Sequence, residues 1–302
     1  MSHRHPAGGH GTASVRAFAV ATLINLAYTG LEAFYGFLIG SLALLSDAAH
    51  NLGDALGLAL AWGAARLATR APTERHTYGW RRATLLAPLA NALLLTAFSG
   101  ALLLEAARRL SAPPELPAWP VVWVAAIGIA VNLGTALLFR HRHRHDLNRH
   151  GAYLHLLADA GVSIAAVLAG LAMYWRGWYV LDPLLAVLVA LVIAIAGWRL
   201  LRDSFKQVMD AVPAGIDPNR VRAWLAAQPG VAGVHHVHIW SLGSEEIALT
   251  AHLVRPEHAD RDGFLDATLT GLNQHFGINH ATLQIESGPG CWHDGRDPAP
   301  HY

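Results

Sequence analysis

Cysteine is almost missing from this 302-residue chain. The single thiol, Cys291, excludes an intrachain disulfide framework and any cysteine-built metal cluster within one chain. Charge is scarce too. Asp, Glu, Lys and Arg make up 14% of the residues, where a soluble domain carries about 25%. With 53% of residues apolar, that scarcity excludes a disordered chain and argues against a wholly soluble enzyme. A formal net charge of +1 leaves no broad electrostatic footprint for nucleic acid. What the chain does have in quantity is histidine, 19 in all.

The apolar residues gather in six blocks: Val15–Ile39, Ser41–Leu67, Ala83–Ala107, Val121–Phe139, Tyr153–Trp175 and Leu184–Leu201. Each reaches the ~17–25 residues that a membrane-spanning helix needs. The first is not expected to be a cleavable signal peptide, because it carries Glu32 and turns at Gly40-Ser41 into a second block with no obvious small-residue cleavage site. Lys and Arg set the orientation. With the N-terminus in the cytoplasm, that side holds 14 of them, in the flanks 4–16, 66–82, 140–149 and 199–206. The opposite side holds 3, Arg108, Arg109 and Arg176. Both termini are therefore expected in the cytoplasm of a multi-pass protein in a cell inner membrane or plasma membrane, with the lipid bilayer as its surroundings.

After Asp210 the composition changes. Asp217-Pro218 opens a helical stretch to Gln228, followed by two β-rich runs, 234–240 and 247–254, a helix from about 261 to 275 and a third run, 281–286. The order αββαβ predicts a small α+β, ferredoxin-like domain. The expected division is a His-containing tail over 1–13, a six-helix transmembrane domain over 14–209, a cytoplasmic domain over 210–287 and a flexible tail over 288–302.

An ionisable residue in hydrocarbon costs about 2.5–3.5 kcal/mol, so it needs a reason to be there. The second block contains His50-x-x-x-Asp54 and the fifth contains His155-x-x-x-Asp159. Residues four apart share one helix face, so each helix presents an imidazole beside a carboxylate. Two such faces opposed make a set of two nitrogens and two oxygens suited to tetrahedral Zn²⁺, and less exclusively to Co²⁺. Zn²⁺ held by two carboxylates and two neutral imidazoles sums to zero charge, whereas the empty site favours protons. Alternate occupancy by metal and by protons is the chemistry of an exchanger. Asp47 lies near the same face. Glu32, Asn25, Asn91, Glu105 and Asn132 are expected to bond between helices.

These residues resemble the cation diffusion facilitator family of divalent-metal/proton antiporters. Four segments carry the resemblance: Gly40–Asp54, Thr77–Arg82, Asp146–Asp159, and Val237–Trp240 with Ala281–Glu286. It implies six spans, a cytoplasmic αββαβ domain and a homodimer. It puts the transport site on His50, Asp54, His155 and Asp159. Histidine at the first of these positions resembles the branch that favours zinc over cadmium. A second metal site in the loop after span two is expected to be absent, since His76 stands there with Thr73 and Trp80. Arg82 and Asp210 resemble the family's charge pair between membrane and cytoplasmic parts. A zinc site of the cytoplasmic domain is implied at His235, His252 and Glu286, with His280 nearby. Strict strand alternation puts His236 and His238 on one face and His235 on the other, and does not choose between them. Metal capture by His3, His5, His10, the His141–His145 tract and His150 is an open alternative to plain solvation.

The expected function is proton-coupled export of Zn²⁺, with protons as counter-substrate and divalent metal ions and a second copy of the chain as partners. The alternatives are a passive divalent-cation channel and a metal-sensing membrane scaffold. An intramembrane zinc hydrolase is disfavoured, because no His-Glu-x-x-His pattern is present. The chain reads as a secondary transporter, not an enzyme.

Overall fold

A computed structural model describes the backbone of residues 10–140, 147–256 and 260–288, with side chains over 22–137, 150–256 and 260–288. His3, His5, the His141–His145 tract and Cys291 lie outside these residues. Six long helices come first: α1 (His10–Ile39), α2 (Leu42–Ala68), α3 (Ala83–Ser111), α4 (Ala118–Arg140), α5 (Leu147–Arg176) and α6 (Leu181–Val208). Then follow α7 (Pro218–Ala226), β1 (Gly233–Ser241), β2 (Ile247–Val254), α8 (Arg261–Phe276) and β3 (His280–Glu286).

Among the described residues, five of the long helices are apolar enough over a sufficient length to cross a membrane. The sixth, α2, has 27 residues, or about 40 Å at 1.5 Å per residue. It falls short in composition alone, because it carries Asp47, His50, Asn51 and Asp54. The polar residues that make α2 interesting are the ones that lower its apolarity.

The chain forms two compact units, one of Met1–Ala59 with Asn91–Arg199 and the other of Leu60–Ala90 with Leu200–Tyr302. In the first unit, α4 and α5 pack along their length and α1 lies against α4. Its largest apolar cluster joins Tyr28 of α1, Leu44 of α2, Val121 and Val124 of α4 and Met173 of α5. Small residues at these seams, such as Ala125, Ala160 and Ala166, are buried and allow close helix approach. The chain turns from α1 into α2 at Gly40, whose φ of +74° is open to glycine and strained for other residues.

The α2 entry is held by a residue the sequence did not single out. Buried Asp182, at the start of α6, accepts hydrogen bonds from the Ser41 hydroxyl and from the backbone N–H groups of Leu42 and Ala43. One carboxylate from another helix thus satisfies donors that the first turn of α2 leaves without intrahelical partners. Arg109 binds Glu105 on its own helix at 2.8 Å and donates to the Gly40 carbonyl. Glu105 is therefore tied within α3 rather than to a neighbouring helix.

In the second unit, β1 pairs antiparallel with β2, and β2 pairs parallel with β3. The helices α7 and α8 cover one face, closing a core of Val221, Leu225, Val237, Ile239, Leu249, Leu253, Leu272 and Ile285. Asp217 caps α7 by accepting from the Asn219 N–H, with Pro218 in the first turn, and Asp260 and Gly277 delimit α8. The element order and bounds follow the sequence pattern to within a residue or two. A register shift between His235 and His238 inserts an extra residue into β1.

Candidate metal centres

The first centre is built by α2 and α5. Each helix carries a histidine and, one turn later, an aspartate, and the structure brings all four side chains together. His155 Nε2 lies 3.0 Å from Asp54 Oδ2 and 3.5 Å from Asp159 Oδ2. His50 Nε2 lies 3.8 Å from Asp159 Oδ1 and 3.9 Å from Asp54 Oδ2. Donor atoms of His50, His155 and Asp159 fall within 4.8 Å of one another. Four donors at about 2.0–2.1 Å from one ion, at tetrahedral angles, sit about 3.3 Å apart. The four separations lie near that value, and Asp54, which stands outside the cluster of three, must move toward Asp159 to close the shell.

The shell has a wet side and a dry side. Asp54 and His155 are 42% and 46% exposed, His50 is 27% exposed and Asp159 only 6%. A cavity of about 200 Å³ opens onto Asp54, His155 and Asp159, with Asn25 and Thr29 of α1 and Asn51 of α2 in its wall. Deeper in the helices Glu32 and Asp47 are buried, and Tyr28 donates to Glu32 Oε1 at 3.0 Å. Two oxygens there, Glu32 Oε2 and Asp47 Oδ1, have no hydrogen-bond partner among the described residues.

The second centre lies on the β-sheet face opposite the helices. His235 of β1 and His252 of β2 are cross-strand partners, and Glu286 ends β3. Glu286 Oε2 is 3.0 Å from His235 Nε2, and Glu286 Oε1 is 2.9 Å from His252 Nδ1. Gln284 steadies the carboxylate by donating to Oε1 at 2.9 Å. These three donors cluster within 4.8 Å, a spacing and donor chemistry that fit a zinc ion. His280 is not brought to them. It begins β3 opposite Ala248, while Glu286 ends it opposite Val254, and its ring packs on Tyr78 at 5.4 Å. Strict alternation does not hold in β1 either. The extra residue at the bulge turns His236 toward His235 and His252, with ring centroids 5.2 and 5.1 Å away.

Elsewhere in the second unit, His76 stacks on Trp80 at 4.5 Å and is not among the clusters of metal-ligating side chains found in the described residues. Arg82 Nη2 meets Asp210 Oδ1 at 3.1 Å. The neighbouring ion pair between Arg81 and Glu246 had no signal in the sequence, because its partners stand far apart in a loop and a hairpin.

Comparison with known proteins accounts for nearly the whole chain. Residues 18–209 match the cation efflux transmembrane domain and residues 213–288 the cytoplasmic domain of cation efflux proteins. The zinc transporter ZitB of Escherichia coli strain K12 is 35% identical over 285 residues, covering 92% of this chain and 90% of that protein. The cadmium, cobalt and zinc/H⁺-K⁺ antiporter of Bacillus subtilis strain 168 is 32% identical, covering 95% and 92%. The metal cation efflux system protein CzcD of Cupriavidus metallidurans is 32% identical, covering 100% and 93%. The solved metal-bound C-terminal domain of the CzcD transporter is 32% identical and covers 24% of this chain and 99% of that one, with a TM-score of 0.22. By the two domain matches and the three full-length relatives, the chain is a member of the cation diffusion facilitator, or cation efflux, family of membrane transporters.

Proposed function

We propose that this protein exports Zn²⁺, and other divalent transition metals less selectively, from the cytoplasm in exchange for protons. The observation that carries the reading is the convergence of two His-x-x-x-Asp faces, His50 with Asp54 and His155 with Asp159, at separations of 3.0–3.9 Å. Two carboxylates and two neutral imidazoles neutralise a dication. Without the ion the same carboxylates, in a membrane interior, favour proton uptake. Metal and protons therefore compete for one site, and a site open to each side in turn couples their opposite flows.

The cavity leaves Asp54, His155 and Asp159 reachable from outside the helices. Its lining comes from the middle of α1, the middle of α2 and the N-terminal part of α5. With six spans and both termini in the cytoplasm, as we read the arginine distribution, the cavity lies in the cytoplasmic half of α5 and at mid-length of α1 and α2. Relatives named as zinc or as cadmium, cobalt and zinc transporters agree with this cargo range. The division into tail 1–13, membrane domain 14–209, cytoplasmic domain 210–287 and tail 288–302 belongs to the same reading, as does a homodimer in an inner membrane. His235, His252 and Glu286 would hold a resident zinc in the cytoplasmic domain.

Sealed vesicles containing the purified protein test the reading. Wild type should move Zn²⁺, and Asp159→Ala should abolish the flux. Undiminished transport by that variant would contradict the site. A flux carried only down the metal gradient and insensitive to protons would mark a channel.

A further inference from the structure

The cytoplasmic-domain centre offers three protein donors, two imidazoles and one carboxylate, where a structural zinc site takes four. We propose that His236 supplies the fourth. The inference rests on reading that sheet face as a metal centre.

Two observations carry it. The first is backbone strain. His236 has a φ of +49° inside a β-strand, a left-handed conformation that a strand residue with a side chain rarely adopts. It coincides with the register shift between His235 and His238, so one residue of β1 is left over in the pairing. An ordinary strand would send the His236 ring to the other face. The bulge instead places it beside His235 and His252. A strained residue held by its surroundings points to a function, and here the result of the strain is a third imidazole on the metal face.

The second observation is a distance. The three ring centroids form a nearly equilateral triangle, with sides of 5.2 Å for His235–His252, 5.2 Å for His235–His236 and 5.1 Å for His236–His252. An imidazole bound at about 2.0–2.1 Å has its centroid about 3.2 Å from the metal. Two such rings at a tetrahedral angle have centroids about 5.2 Å apart. All three sides match. Turning the His236 ring about its Cβ–Cγ bond brings a nitrogen inward and leaves the centroid almost in place, and that torsion is a soft one for histidine. His238, 6.5 Å from His236 and on an exposed position of β1, stays outside the triangle.

The test uses the full-length protein with Asp54→Asn and Asp159→Asn, so that the membrane site does not contribute. Zn²⁺ affinity is read by competition with a chromogenic chelator, and coordination by the visible absorption of bound Co²⁺. His236→Ala should weaken Zn²⁺ binding more than about tenfold, the minimum expected for losing even an outer-sphere partner, and should shift the Co²⁺ bands. His236→Gly accepts the left-handed backbone without strain. It should bind Zn²⁺ as poorly as the alanine variant while melting no lower than the parent without metal, a combination that a purely structural role would not produce. His235→Ala serves as the control. If it loses affinity while His236→Ala stays within about threefold of the parent with unchanged Co²⁺ bands, His236 is not a ligand and the three-donor centre stands. If neither variant changes affinity, the metal-centre reading falls as well.

Discussion

Replacing Asp54 with Asn should separate charge from shape at the membrane site. The side chain keeps its size, and an amide oxygen still faces His155, 3.0 Å from where the carboxylate stood. What changes is the sum of charges around the ion, from zero to +1, in a region where uncompensated charge costs about 2.5–3.5 kcal/mol. Metal affinity should fall by at least about a hundredfold, or roughly 2.8 kcal/mol at 1.4 kcal/mol per factor of ten. Proton traffic should change with it, because one of the two groups that exchange a proton for the metal is gone. The assay is calorimetric titration with Zn²⁺ in two buffers of different ionisation enthalpy, on protein carrying His252→Ala and Glu286→Gln so that only the membrane site is read. The parent should release at least one proton per zinc bound, and the Asp54→Asn protein fewer. A threefold or smaller loss of affinity with an unchanged proton count would refute the charge argument.

Other perturbations follow from the same geometry. Asp182→Ala removes three hydrogen bonds from the entry of α2. At about 1 kcal/mol net each, the loss should approach about 3 kcal/mol, read as a lower thermal midpoint in detergent, with Asp182→Asn intermediate. Gly128 faces the Tyr28 hydroxyl and Ser163 so closely that a methyl group has no room. Gly128→Ala should cost about 1–3 kcal/mol by overpacking, measured in the same melt. A double-mutant cycle on Arg81 and Glu246, both partly exposed, should give a coupling below about 1 kcal/mol that shrinks in high salt.

Much of this molecule is legible in its sequence because the membrane and the metal both impose simple rules. Apolar runs must reach a bilayer's thickness, so the long helices can be read from length alone. Ionisable residues in those runs are costly, so His50, Asp54, His155 and Asp159 stand out, and the four-residue spacing places each pair on one face. In the cytoplasmic domain, Asp217-Pro218 and the alternating runs fix α7 and the strands. What stays hidden depends on pairing between distant segments. Asp182 reads as a polar residue at a helix start until its partners, 139–141 residues away, are known. The β1 bulge has no glycine to announce it, so strict alternation sends His236 to the wrong face. His280 sits close to Glu286 in sequence, but a strand carries it away at about 3.3 Å per residue. The parallel register with β2 decides its neighbours.

The most direct test of the central claim is zinc flux in sealed vesicles with an imposed pH gradient. If the four ligands of α2 and α5 exchange one ion for protons, Zn²⁺ should move against its own gradient while protons run the other way, and a protonophore should stop it. Zinc movement at the same rate with and without the pH gradient would contradict the exchange.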